Sequence, residues 1–235
     1  MIFLTSNFDS SILIFIFITV AIVLIFISYY FGSKQKVLRT LSKLQDKRIM
    51  SLKSNEFSRV TGKALHVKTP LLAPYSKRKC IFYSIKIEQK NSSGKNKYWR
   101  TIIKEEKAQE FFLEKNGDFV IVKPNQNPKN YLSHLVVDKK TNSGTFKDPT
   151  PKFETLLNHY NIKSEGFFGF NKTLRYSEAV IEIGEQITVA GIAKWKSLKE
   201  AIDGYSYSKI VELESSDKQK LIITDLPNIK SKKRL

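Results

Sequence analysis

The sequence ILIFIFITVAIVLIFISYYF, Ile12–Phe31, is the stretch around which the rest of the chain is organised. It contains no charged residue, and as a helix rising about 1.5 Å per residue it would span roughly 30 Å, the thickness of a bilayer's hydrocarbon core. Its polar side chains suit such a place, because Thr19 can bond back to its own helix and Tyr29 and Tyr30 stand where interfacial aromatic residues are found. The sequence therefore predicts a transmembrane helix.

Two other interpretations of this stretch compete with a membrane span. A buried core helix would need more surrounding protein than a chain of 235 residues readily provides. A cleaved signal peptide has basic residues before its apolar run and small residues at its cleavage site. Residues 1–11 contain no Lys or Arg, and Ser-Tyr-Tyr-Phe-Gly at 28–32 is bulky. We therefore expect an uncleaved anchor that follows a short extracytoplasmic segment, residues 1–11.

Basic residues follow the apolar stretch and predict its orientation. In residues 32–56 the helical spacing of Val37, Leu41 and Leu44 predicts either a continuation of the anchor helix or a basic amphipathic helix on the headgroups. A solvated linker is the alternative. The positive-inside rule places the following domain on the cytoplasmic side of a single-pass membrane protein. With the basic tail, residues 228–235, which we expect to be disordered, this segment supplies the candidate membrane-surface residues Lys34, Lys36, Arg39, Lys43, Lys47, Arg48, Lys230, Lys232, Lys233 and Arg234.

The composition is strongly basic, with a net charge of +18 and a pI of 9.8. Such an excess suits either nucleic acid or an anionic membrane surface. Because an anchor is already present, we expect the lipid bilayer as a partner and do not expect nucleic acid. Cys80 is the single cysteine, so no disulfide forms within the chain, which fits a reducing compartment.

From residue 57 onward, short alternating apolar runs replace the helical spacing and predict strands. Asn116-Gly117 between two apolar runs predicts a hairpin. Gly62 inside a predicted strand indicates a bulge or a close approach of another backbone. The predicted strands are residues 59–67, 80–88, 98–104, 111–114, 119–122, 135–138, 175–182, 186–193, 210–214 and 220–224, of which the last two are expected to pair with each other.

One soluble helix interrupts the strand pattern. Thr150 is a suitable N-cap and Pro151 suits the first helical position. The apolar face of this helix consists of Phe153, Leu156, Leu157 and Tyr160. For residues 57–227 we predict an α+β domain that is mainly antiparallel β, with a small barrel-like or sandwich-like sheet.

Three segments of this domain occur in a familiar order. They are residues 62–83, with PLLAP at 70–74 and CIFY at 80–83; residues 112–124, FLEKNGDFVIVKP; and residues 174–191, with LRYSE, IGE and VAG. Together they resemble the beside-a-membrane (BAM, or GIDE-type) domain of the membrane E3 ubiquitin ligases, which also occurs in bacterial and archaeal membrane proteins. The residues that carry the resemblance or a structural role are Gly62, Pro70, Pro74, Cys80, Tyr83, Gly117, Arg175, Tyr176, Glu178, Gly184 and Gly191.

The sequence also departs from this family. The ligases have a second membrane helix and a cytosolic zinc-binding RING, and a RING needs about eight Cys and His ligands. This sequence contains Cys80, His66, His134 and His159, without the spacing of metal ligands. We therefore expect no metal, no cofactor and no ligase chemistry from these residues. In the organellar ligases the domain lies in the intermembrane space, whereas the charge rule here predicts the cytoplasmic side.

Catalytic sets of other kinds are weak in this sequence. Cys80 is a candidate nucleophile, but its apolar strand favours a buried structural thiol. Glu178, Glu182 and Glu185 lie close together along the chain, although no nucleophile accompanies them. We prefer to read Arg175, Tyr176 and Glu178 as residues that tie their strand to its neighbour through an ion pair or a buried hydroxyl.

Two further segments bear on nucleic-acid and phosphate binding, and neither favours it. YWR at 98–100, with Lys95 and Lys97, could stack on single-stranded nucleic acid, although a hairpin with a basic exposed side and a buried Trp is preferred. GFFG at 166–169 has bulky rings where a phosphate loop needs bare backbone.

Three functional hypotheses follow from the sequence. The first is a membrane-anchored BAM-type module that binds a partner protein, a peptide or the lipid surface, with strand edges or Phe167-Phe168 as docking surface. The second is an accessory subunit of a ubiquitin-like ligase (E3 ubiquitin-protein transferase) system, with catalysis on another chain. The third is a nucleic-acid-binding membrane protein. In none of them do we expect this chain to be the enzyme.

Overall fold

The computed structural model describes residues 10–166, 169–198, 208–227 and 229, and within them it is mostly β structure. Besides a short 3-10 helix, Ile49–Ser51, the helices are α1 (Ser10–Phe31), α2 (Ser33–Ser42) and α3 (Pro151–His159). The strands are β1 (Phe57–His66), β2 (Leu71–Leu72), β3 (Lys79–Ser93), β4 (Asn96–Ala108), β5 (Phe111–Lys115), β6 (Asp118–Val122), β7 (Tyr131–His134), β8 (Lys139–Asn142), β9 (Leu174–Glu182), β10 (Gln186–Ser197), β11 (Lys209–Glu214) and β12 (Leu221–Thr224).

Helix α1 projects from the β structure, and the side chains of Ile12–Phe31 are exposed along its whole length. By length and composition this helix can cross a membrane, as the sequence predicts. The helix of a signal sequence has the same length and composition, and these two properties do not show which side of a membrane the domain would lie on. The Thr19 hydroxyl donates to the carbonyl oxygen of Phe15 at 2.8 Å, so the polar group inside the apolar stretch is satisfied within the helix.

Helix α2 does not continue α1. Gly32 has an extended backbone (φ −55°, ψ 145°), which ends the helical path. The Arg39 guanidinium lies 3.8 Å from the centroid of the Tyr30 ring. In one straight helix these two residues would be about 13 Å apart along the axis. The two helices therefore meet at a corner, and the expected continuation of the anchor helix is wrong.

The apolar face of α2 is buried against the β domain. Val37 and Leu41 are fully buried and pack with Ala190 on β10 and Ile222 on β12. The expectation that this face rests on lipid headgroups is therefore wrong, although Lys34 and Lys36 of the same helix are exposed. Arg59, itself buried, donates to the carbonyl oxygen of Leu41 at 3.3 Å and fixes the end of α2 to β1.

The larger sheet has the strand order β1-β5-β6-β11-β10-β12-β7, and an additional pairing of β1 with β10 closes β1, β5, β6, β11 and β10 into a barrel. The predicted small barrel is therefore present. Most pairings are antiparallel, as predicted, but β6 with β11 and β7 with β12 are parallel. The barrel core includes Phe111, Leu113, Val189 and Val211.

The smaller sheet has the order β2-β3-β9-β8, with β4 also paired to β3. Helix α3 covers one face of this sheet, where Phe153 and Leu157 pack with Tyr176 and Ile85. The Thr150 hydroxyl accepts from the Phe153 amide at 3.3 Å, which confirms the predicted N-cap. The other face of the sheet is polar and turns toward α2.

One predicted strand and one predicted strand pairing are wrong. Residues 135–138 join β7 to β8 without forming a strand, because the Val136 amide donates to the Asp225 carboxylate instead of to a strand partner. β11 and β12 do not pair with each other; both pair with β10, at residues 192–197 and 188–190. Gly191 lies between these registers, and an added Cβ there would meet Leu221 Cδ1 at 2.8 Å.

Candidate functional site

A groove lies between the beginning of α2, the segment after β7 and the polar face of the smaller sheet. Its cavity is about 210 Å³. Ser33, the first residue of α2, lines it together with Ser84 on β3 and Ser177 on β9. Because Ser33 follows the end of α1 by two residues, the groove lies at the end of α1 from which the domain begins.

Lys86 and Lys104 line this groove, and a row of side chains that includes them continues past it to Lys140 on the same face of the sheet. In the strand register Lys104 on β4 is opposite Lys86 on β3, Lys86 is opposite Ser177 on β9, and Ser177 is opposite Lys140 on β8. Residues opposite one another in neighbouring strands present their side chains on the same face of a sheet. We call these residues the lysine row: Lys104, Lys86, Ser177 and Lys140.

The carboxylates on this face are already engaged by other groups. Glu88 accepts from Arg175 Nε at 2.5 Å and lies 3.1 Å from Lys86 Nζ. The hydrogen bond from Arg175 holds the pKa of Glu88 below its ordinary value. Glu106 lies 3.0 Å from Lys129 Nζ and accepts from the Ser133 hydroxyl. Among the described residues, no carboxylate pairs with Lys104 or Lys140.

An apolar rim borders the groove. Val136 and Val137 are 44 % and 43 % exposed. His134, which precedes them, is half-buried, and burial together with the nearby charge of Lys34 lowers its pKa. His134, Leu135 and Val137 line the groove together with Ser33, which places this segment near the beginning of α2. The rim is held by the Asp225 carboxylate, which accepts from the Val136 amide at 2.9 Å.

Asp225→Asn is expected to remove a pH dependence of stability. Burial, assisted by the charge of Glu185, raises the pKa of Asp225 to about 6 from 3.8. The folded state therefore binds this proton more tightly, so the contribution of Asp225 to stability is complete below about pH 4 and is lost as the pH rises through about 6. In the variant this loss is absent; in the original chain we expect it to be about 2 kcal/mol, because solvent screening of this partly exposed group reduces the full effect of about 3 kcal/mol. Urea unfolding of the full chain in detergent across this range measures it, with exposed Asp217→Asn as the control. Equal pH dependence in all three proteins would contradict the expectation.

A second cluster lies beneath α3 and the loop at 73–78. Glu178 is 0 % exposed and accepts from the Tyr75 amide at 2.9 Å, the Ser76 amide at 3.2 Å and the Tyr176 hydroxyl at 2.9 Å. Burial raises the pKa of Tyr176 well above its ordinary value, so its hydroxyl keeps its proton. Pro74 belongs to the same loop. We assign this cluster a structural role, because each polar group in it has a protein partner.

Beside this cluster, Glu105 is a second carboxylate that accepts hydrogen bonds from tyrosine hydroxyls. It accepts from the Tyr83 hydroxyl at 2.5 Å and from the Tyr160 hydroxyl at 2.7 Å. Burial and these hydrogen bonds raise the pKa of both tyrosines. The contact ties α3 to the smaller sheet, since Tyr160 follows the last turn of that helix.

Cys80 is a buried thiol, as the sequence predicts, and not an exposed nucleophile. Burial raises its pKa to about 12, and its Sγ donates to the carbonyl oxygen of Leu71 at 3.6 Å. Glu182 pairs with Arg78, while Glu185 accepts from the Glu182 amide. The predicted carboxylate set is therefore divided among separate structural contacts. The described residues contain no group of His, Cys, Asp and Glu side chains that could hold a metal ion.

The remaining predicted residues have local roles or lie outside the description. Gly117 and Gly184 have positive φ values of 85° and 87° at turns, where glycine is favoured. Pro70 directly precedes β2. The Arg175 guanidinium lies 4.1 Å from the ring centroid of Trp99, which is half-buried. The predicted residues outside the described ranges are Phe167, Phe168, Lys230, Lys232, Lys233 and Arg234.

The predicted juxtamembrane basic residues fall into two groups. Lys34, Lys36, Lys43 and Arg48 are exposed. Arg39 stacks on Tyr30, and Lys47 Nζ lies 2.6 Å from Glu56. The sequence did not indicate the lysine row, because its members come from four strands and meet only through the sheet register.

Together these features describe a β-barrel domain that carries an apolar helix at one end and a basic groove beside that helix. Comparison of the chain with protein-family models, with curated proteins and with solved structures finds no match. The resemblance to the BAM/GIDE-type domain therefore stays a prediction from the sequence.

Proposed function

We propose that this chain is a single-pass membrane protein whose β domain lies directly on the bilayer and acts there as a membrane-surface module. One observation carries the proposal: a single residue, Gly32, separates α1 from α2, and α2 is buried in the domain through Val37 and Leu41. Because no flexible segment separates α1 from the domain, a domain attached to a membrane-spanning α1 stays at the lipid headgroups.

The charge distribution supports the same placement. Lys34 and Lys36 are exposed in the first turn of α2, and Lys43 is exposed just after it. A lysine near anionic lipid contributes on the order of 1 kcal/mol to binding. In the proposed orientation this side is cytoplasmic, since the basic flank follows the helix and residues 1–11 contain no Lys or Arg.

The proposal is tested by lengthening the connection between the two helices. A flexible Gly/Ser linker of about 12 residues inserted after Gly32 would let the domain move roughly 20 Å from the surface. We expect a phospholipid with a photoreactive headgroup to label residues 33–48 of the original chain in liposomes. We expect the linker variant to lose most of this labelling, which is quantified by mass spectrometry of the peptides.

The matched control places the same linker at Gly94, in the exposed turn between β3 and β4. This insertion lengthens the chain without separating α1 from α2, so the labelling of residues 33–48 should be unchanged. Absent labelling in the original chain, or equal labelling in the original chain and the Gly32 variant, would overturn the proposal.

A further inference from the structure

The lysine row carries an unfavourable arrangement of charge. Lys86 and Lys104 are directly opposite in an antiparallel pair, and like charges in this position repel each other. Lys86 shares Glu88 with Arg175, so one carboxylate compensates two cations. Lys140 lies on the same face, at the far side of Ser177. An anion above the row would replace this repulsion by attraction.

The groove also offers hydroxyl groups to such an anion. Ser84 and Ser177 line the cavity beside Lys86 and Lys104, and neither hydroxyl has a hydrogen-bond partner among the described residues. Lysine Nζ groups and hydroxyls are donors that suit phosphate oxygens. The combination favours a phosphate group over a chloride-sized ion, because a phosphate can accept from several of these donors at once.

We propose that the groove binds the phosphate of an anionic phospholipid headgroup, an inference that rests on the membrane placement proposed above. Ser33 lines the groove two residues after α1 ends, at the depth where headgroup phosphates lie when α1 spans. Val136 and Val137 form an exposed apolar rim. Such a rim fits the glycerol and acyl part of a lipid, whereas a free phosphate would leave it uncovered.

The test measures which lipids stay bound to the full-length protein when it is released from nanodiscs. The nanodiscs contain phosphatidylcholine and phosphatidylglycerol in equal amounts, and native mass spectrometry identifies retained lipids. We expect the original chain to retain phosphatidylglycerol selectively. Lys86→Gln combined with Lys104→Gln should weaken this retention about thirty-fold, the effect of two lysines near an anionic lipid.

The matched control is Lys95→Gln combined with Lys97→Gln, which removes the same charge from the exposed tip of the β3–β4 hairpin. This control should retain phosphatidylglycerol like the original chain. Equal losses in the two double variants would show that only net charge matters, and would overturn the inference. Urea unfolding provides a second readout, because relief of the repulsion should leave the Lys86/Lys104 variant at least as stable as the original chain.

Two further measurements distinguish a lipid phosphate from a free anion, and the groove site from the membrane placement. If inorganic phosphate displaces phosphatidylglycerol when the two are present at the same concentration, the ligand is a free anion, and the proposal of a lipid phosphate is overturned. Photoreactive-headgroup labelling of residues 33–48 is measured in the same nanodiscs. If residues 33–48 are labelled but the lysine variants retain phosphatidylglycerol normally, the lipid site in the groove is overturned and the membrane placement stands. If residues 33–48 are not labelled, the membrane placement itself is overturned.

Discussion

Gly62→Ala is expected to destabilise the barrel strongly. An alanine Cβ at this position would lie 2.3 Å from the carbonyl oxygen of Glu114 and 3.2 Å from Leu113 Cγ. Gly62 lies where β1 pairs with β10 on one side and begins to pair with β5 on the other, so β5 cannot move away without opening the barrel. We expect a loss of about 3 kcal/mol or more in the free energy of unfolding.

Urea unfolding of the full chain in detergent, followed by circular dichroism, measures this loss. Gly144→Ala is the matched control, because its added Cβ would meet nothing closer than Lys147 Cβ at 3.9 Å and its φ is not positive. The control should be unchanged or slightly more stable. A Gly62→Ala chain within about 0.5 kcal/mol of the original would show that the two backbones do not approach so closely.

Local rules predicted those elements whose cause lies within a few residues. Asn116 and Gly117 both have positive φ and form the β5–β6 turn, which is the backbone that this pair favours. The cap at Thr150 and the buried strand of Cys80 are likewise decided by neighbours in the chain. The close approach at Gly62 was indicated because glycine inside a strand has few other causes.

Elements decided by distant partners were not predictable in this way. The apolar spacing of α2 fits a membrane surface or a protein surface equally well, and only Ala190 and Ile222 decide between them. β11 and β12 look like a hairpin because a short segment joins them. β10 is long enough for β11 and β12 to pair with it one after the other along the same edge. The sequence of β10 alone does not indicate this pairing.

The lysine row depends on one irregularity that no pattern in the sequence marks. From the turn at 94–95, the register of the β3–β4 hairpin pairs Glu88 with Thr101, and continuing it would put Ile103 opposite Lys86. The register shifts between Ile87 and Glu88, so that Lys104 is opposite Lys86 instead. The bulge therefore brings the two lysines together, and the proposed phosphate site follows from a backbone detail.

Glu178→Ala is expected to detach the loop at 73–78 from the smaller sheet. The substitution would leave the amides of Tyr75 and Ser76 and the hydroxyl of Tyr176 without their acceptor inside the protein. Hydrogen bonds to a charged group contribute about 1.5–3 kcal/mol each, and unpaired buried donors add a desolvation cost. We expect a loss of about 4 kcal/mol in the free energy of unfolding, measured by urea titration in detergent.

Cys80 supplies a second readout that is specific to this loop. Its thiol donates to Leu71 in β2, and the loop at 73–78 joins β2 to β3, so loosening of the loop should expose a sulfur that is now buried. Maleimide should therefore label Cys80 faster in Glu178→Ala under native conditions, and by a smaller factor in Glu178→Gln, which keeps one acceptor oxygen. Glu165→Ala removes an exposed carboxylate and serves as the control. If Cys80 reacts at the same rate in Glu178→Ala as in the control, Glu178 does not hold the loop, because a detached loop cannot keep covering the thiol.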